Sequence, residues 1–164
     1  MKIRKRNDGF SLMEMIVAVA IMAVLGGILM PQITQYIETS KVVKDKQTIE
    51  NVYMAVSAAL VSGTAVGDEE SLGLSGNQKE GAVMSLEELA VNDGEFAKQL
   101  KLLLGDSMGE ITLDSGRASE HGAGKIYVYV GEDMRAGVYW GTDSGSGQKG
   151  FTAGELPEGV NLYD

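Results

Sequence analysis

Cysteine is absent from this chain of 164 residues, so no disulfide braces it, no thiol acts as a nucleophile and no metal is held by thiolates. Histidine occurs once, at His121 within Ser119-Glu120-His121-Gly122. No serine, cysteine or carboxylate stands at a spacing that would define a catalytic motif with it, and it reads as a solvated loop residue. Basic residues are few, 14 Lys and Arg against 23 Asp and Glu, for a net charge of −9. Direct nucleic-acid binding is not expected, because phosphate recognition needs clustered Lys or Arg. The stretch Gly145-Ser146-Gly147-Gln148-Lys149-Gly150 has the form G-x-G-x-x-G, but Phe151-Thr152-Ala153-Gly154 starts no helix, so it reads as turn chemistry. Asp143 and Ser144 are oxygen donors too common to define a calcium loop. No catalytic residue, metal ligand or cofactor is assigned, and the chain is not read as an enzyme.

Charge is also missing from one long segment. Between Phe10 and Met30, 21 residues carry a single charge at Glu14, and no charge occurs from Met15 to Ile37. At 1.5 Å rise per residue a helix over 10–37 spans a bilayer. Lys2, Arg4, Lys5 and Arg6 precede it, so the positive-inside rule keeps the N-terminus in the cytoplasm and sends the rest of the chain outward in a single pass. A secretory signal has its cleavage site after a shorter apolar core. Here the small residue, Gly9, comes before the core, so processing would retain the core.

Gly9-Phe10-Ser11-Leu12-Met13-Glu14 after a basic leader, with Pro31 farther along the apolar helix, resembles the prepilin family: type IV pilins and the pseudopilins of type II secretion and competence (DNA-uptake) machines. The resemblance covers 5–40, about a fifth of the chain. It implies cleavage between Gly9 and Phe10 by a prepilin peptidase, N-methylation of Phe10, and assembly with other pilin subunits into a homo-oligomeric filament through an inner-membrane assembly platform. Lipid surrounds the helix before assembly, and the destination is the cell surface or an extracellular filament. Many pilins of Gram-negative bacteria close their C-terminal region with a disulfide. The lack of cysteine makes Gram-positive pilins and pseudopilins better company. An unprocessed, membrane-anchored binding protein or adhesin is the reading from a different class.

Glu14 fits that resemblance on physical grounds. A lone carboxylate in hydrocarbon costs about 2.5–3.5 kcal/mol and normally pairs or marks function. Cleavage at Gly9 frees an ammonium on Phe10, and in a stack of parallel helices the amine of one subunit can meet the glutamate of another. The alternative is a Glu14 that snorkels to the interface of an uncleaved anchor. Gly26, Gly27 and Pro31 predict a kink or locally melted stretch. They serve equally as a small-residue face for helix packing.

Beyond Pro31 the helix resumes. Ile49, Val52, Tyr53, Val56 and Leu60 form one apolar stripe, while Lys44, Asp45, Lys46, Gln47 and Glu50 read as its polar face. The expected organisation is a cleaved leader over 1–9, a long helix over 10–62 with its assembly segment at 10–37, and an acidic globular head over 63–164. Nineteen of the 22 glycines fall in that head, which reads as turn-rich. Within it, 67–82 reads as a loop, Ser85 with Glu88 as a capping box, and Phe96, Leu100, Leu103 and Leu104 as an amphipathic helix closed by Gly105. Strands are predicted at 111–113, 125–130 and 137–142, the last two joined as a hairpin through 131–136. Tyr127, Tyr129 and Trp140 read as sheet packing. The fold class is therefore α+β, a long helix packed on a small antiparallel sheet, which is also what the resemblance implies.

Overall fold

The computed structural model describes residues 10–62, 81–131 and 133–164. The leader expected at 1–9 and most of the loop expected at 67–82 lie outside those residues. The expected α+β plan is present. Helix α1 runs from Leu12 to Val61 through Gly26, Gly27 and Pro31. It is followed by β1 (Ala82–Ser85), α2 (Leu86–Val91), α3 (Glu95–Leu104), a 3-10 turn (Met108–Glu110), β2 (Lys125–Val130), β3 (Ala136–Gly141), β4 (Ser146–Gln148), β5 (Thr152–Gly154) and β6 (Asn161–Tyr163). The chain divides into two compact units, the first ending at Thr39 and the second running from Ser40 to Asp164.

In the second unit the predicted stripe on α1 is the buried one. Ile49, Val52, Val56 and Leu60 are buried together with Ala55 and Ala59, and Tyr53 packs at their edge. They share a core with Ile126, Val128 and Val130 of β2, Val138 and Trp140 of β3, Phe151, and Leu86, Leu89, Phe96 and Leu100 of the short helices. Each large apolar side chain removed from water there contributes about 1.5–3 kcal/mol. Strands β1-β2-β3-β5 form one antiparallel sheet in that order. The predicted hairpin is its centre, with Val128 opposite Val138 and Ile126 opposite Trp140. Alternation along β2 buries Ile126, Val128 and Val130 and leaves Tyr127 and Tyr129 half-buried. Tyr127 stacks on Tyr139 at 5.5 Å between ring centroids. Burial pushes the Tyr139 phenol up to about 12, and its hydroxyl donates to the Ser144 carbonyl at 2.6 Å.

Ser85 and Glu88 form the expected capping box. The Glu88 N–H donates to Ser85 Oγ at 3.2 Å, and the Ser85 N–H donates to Glu88 Oε2 at 2.8 Å. Helix α3 ends as its sequence implies, at Gly105 with φ of 89° and its N–H on the Lys101 carbonyl. Phe96 and Leu100 are buried, but Leu103 is not: it lies half-exposed beside the exposed Leu102.

The remaining differences arise from long-range pairing. Residues 111–113 are not a strand: the Ile111 N–H donates back to the Met108 carbonyl at 3.3 Å, and the N–H groups that follow the segment, on Asp114 and Ser115, donate to the Asp45 side chain. Asp45, expected on the polar face of α1, is 1% exposed. Ala82, expected in a loop, opens β1 because it pairs with Val130. The two-stranded parallel pair β4–β6 sets Ser146 against Asn161, 15 residues later in the chain. Gly137 is required by the β3–β5 pairing, since a Cβ there would run into the Glu155 carbonyl beside β5.

Two outcomes follow. Gly137→Ala forces β3 and β5 apart and lowers stability by about 1–3 kcal/mol in thermal melts of the full chain in detergent micelles. Glu88 is held below the usual carboxylate range, first by the Ser85 backbone N–H. Its folded-state value is thus lower than its unfolded one, so its contribution is complete above the unfolded value and is lost as pH falls through the folded one. Between pH 6 and pH 3 the melting temperature of Glu88→Gln therefore falls less than that of wild type.

Candidate processing and assembly segment

Phe10 is exposed and lies outside regular structure, and helical structure begins at Leu12. Ser11 sits at the N-cap. Its carbonyl accepts the first helical bond from Met15 N at 3.2 Å, and its Oγ accepts from Met13 N at 3.3 Å. Glu14 Oε2 accepts from the Ser11 N–H at 2.8 Å. These reciprocal bonds satisfy two of the N–H groups that every helix leaves without a partner in its first turn. They also place a carboxylate at the positive end of the helix dipole. Sequence reasoning weighed Glu14 against an amine and missed Ser11. The signal was available, because Ser11 and Glu14 have the spacing that identified Ser85 and Glu88.

The side chains that follow face outward. Leu12, Ile16, Ile21, Leu25, Ile28, Leu29 and Ile33 are all about half-exposed or more. A helix this long and apolar can cross a membrane. A Cβ added at Gly26 or Gly27 would meet nothing within 4 Å, so no contact inside the subunit asks for glycine at either place. Pro31 offers no N–H to the Gly27 carbonyl. One turn on, the Thr34 hydroxyl donates to the carbonyls of Pro31 at 2.9 Å and Met30 at 3.3 Å.

Among its described residues the second unit brings together no comparable chemistry. A recess of about 470 Å³ lies among Tyr53, Leu60, Met134 and Ala136, and its charged lining residues, Arg135 and Glu155, pair with each other at 2.9 Å. His121 is exposed, stacks obliquely on Tyr163 and has its Nε2 3.2 Å from the Asp164 carbonyl. Residues 145–150 form β4 and a turn with no helix after them. Among the described residues no three His, Cys, Asp or Glu side chains gather as a metal site would require.

Ser11→Ala removes the acceptor for the Met13 N–H. It is expected to cost about 0.5–2 kcal/mol at the first turn of α1, read as faster amide exchange at Met13 in micelles, whereas Ser11→Thr retains wild-type protection.

Residues 4–30 match the family model described as the prokaryotic N-terminal methylation motif. This is the prepilin-type signal of type IV pilins and pseudopilins, and it implies processing by a prepilin peptidase and assembly with other pilin subunits. No solved structure matches the chain.

Proposed function

We propose that this chain, which carries the prepilin-type methylation signal, is a structural subunit of a type IV pilus-like filament. The observation that carries the reading is the conjunction of that signal with an α1 whose large apolar residues are exposed throughout its first half. Prepilin peptidase cuts between Gly9 and Phe10 on the cytoplasmic side, removes the leader 1–9 and methylates the Phe10 amine. Loss of four leader cations and Asp8 takes the formal charge from −9 to about −12. The head, outside the membrane, keeps a crowded filament soluble through that charge.

Glu14 then has two partners. One oxygen holds the Ser11 N–H, and the carboxylate as a whole attracts the Phe10 ammonium of a neighbouring subunit. In low dielectric the pairing selects one axial register among many similar apolar contacts, even where its net stabilisation is small. Gly26 and Gly27, which no contact within the subunit requires, let neighbouring helices approach closely. Pro31 and the glycines make this the stretch of α1 that yields under extension.

A pseudopilin of a secretion or competence apparatus is the nearest alternative. The absence of cysteine suits it as well as it suits a Gram-positive pilin. Electron microscopy of sheared material separates them: long surface filaments mark the pilin, and short assemblies confined to the envelope mark the pseudopilin.

Intact-mass and N-terminal analysis of membrane and sheared surface fractions tests the reading as a whole. The expected species begins at N-methylated Phe10 and appears in the sheared fraction. A chain beginning at Met1 and confined to membranes overturns the proposal in favour of an unprocessed anchored protein. Glu14→Ala is expected to be cleaved as wild type, with sheared filament reduced at least about tenfold. Wild-type yield would remove Glu14 from assembly.

A further inference from the structure

Asp45 is the one charged residue on the buried stripe of α1, at 1% exposure. Its two oxygens accept from consecutive backbone N–H groups, Asp114 at 3.0 Å and Ser115 at 2.8 Å. The loop that supplies those groups is itself tied to the sheet. Ser115 Oγ accepts from Ala118 N at 3.2 Å, the Trp140 indole donates to the Ala118 carbonyl at 2.9 Å, and the Gln148 amide donates to the Arg117 carbonyl at 2.6 Å. A continuous polar path thus runs from α1 through the 114–118 loop to β3 and β4.

The rest of the seam lacks that specificity. Ile49, Val52, Val56 and Leu60 repeat every three or four residues, so a shift by one turn, about 5.4 Å, brings similar apolar groups into similar holes. The same shift places Lys41 or Ile49 where Asp45 stands, and neither can accept an N–H bond. A buried donor at Ser115, a part-buried one at Asp114 and a buried carboxylate would be left without partners, a combination that disfavours the shifted state. The neighbouring Lys44–Asp114 ion pair, at 2.8 Å, is exposed on both sides and discriminates little.

We propose that Asp45 is a register pin, holding the 40–61 stretch of α1 at one axial position on the sheet so that a pull along the helix passes into the head through the 114–118 loop. The pull itself rests on the filament reading; the pin does not.

The absence of cysteine makes the test direct. Asn51→Cys on α1 and Ser144→Cys beside the sheet, both exposed positions, take spin labels for pulsed-EPR distances in the full chain in micelles. In the Asp45 background one distance is expected. Asp45→Leu is expected to add a second population displaced by up to about 5 Å. Asp45→Asn, which keeps the shape and serves as the milder variant where Asp45→Leu does not fold, retains one acceptor oxygen. It is expected to raise amide exchange at whichever of Asp114 and Ser115 then faces the amide nitrogen at least about tenfold, with β2 and β3 protected as in wild type. Lys44→Ala is expected to leave both readouts unchanged. A single unshifted distance in Asp45→Leu, or wild-type protection at both amides in Asp45→Asn, overturns the pin, as does a uniform loss of protection across the sheet. Each readout is taken on subunits in micelles, so failure of wild type to form filaments would count against the proposed function alone.

Discussion

A carboxylate leaves water only where donors meet it, and Asp45 on α1 obeys that rule at 1% exposure, whereas Glu14 makes its bond while exposed. Glu14 opens the helix by accepting the Ser11 N–H. Asp45 accepts two N–H groups from a loop 69 and 70 residues away. Between them lies the uncharged run 15–37, which has no means of choosing its own axial position. Apolar contact is non-directional and grows with area, so it supplies cohesion without register. The two carboxylates supply direction, one toward neighbouring subunits in the proposed filament and one toward the chain's own sheet.

This division accounts for the economy of the head. No disulfide closes it, and its longest loop between regular elements in the described residues, from the 3-10 turn to β2, is held by side-chain to backbone bonds. Asp45, Trp140 and Gln148 each reach a different backbone group between Asp114 and Ala118. Bonds of this kind each contribute about 1 kcal/mol net, yet leaving one unmade in the interior costs more than making it gains. The loop therefore has one good position and no cheap alternatives. The exposed ion pairs of the head, such as Lys98–Glu95 and Lys149–Asp164, add little to this, since solvent screens them.

The candidate segment and the fold also share a device. Ser11–Glu14 and Ser85–Glu88 share a Ser-x-x-Glu spacing in which the glutamate accepts the serine N–H, the first on an apolar helix and the second at the junction between β1 and α2. In both, the glutamate holds the serine N–H where the helix begins, and at Ser85 the serine also ends strand β1. For the first, this leaves Phe10 outside the helix, where its backbone is accessible next to the proposed scissile bond.

Local pattern was enough for much of this. The apolar run, the stripe from Ile49 to Leu60, the Ser85 cap, the Gly105 stop and the alternation of β2 are all properties of residues within a turn or two of one another, where periodicity and φ preferences act. The prepilin signal is likewise contiguous, which is why site residues could be named before any fold was known. Only the tertiary structure decided which polar residue is buried and which apolar segment is not a strand. Asp45 stands one turn before Ile49 on the spacing of the stripe, but its charge reads as polar face beside Lys44 and Glu50, and 111–113 looks like any short strand. Asp45 takes its state from partners 69 and 70 positions away, and 111–113 leads into the loop that supplies them. The strands β1, β4, β5 and β6 are three or four residues long and exist because of what they pair with. A sequence determines such pairings only through the whole packed core, because hydrogen-bond satisfaction in the interior is settled by every element that excludes water from it.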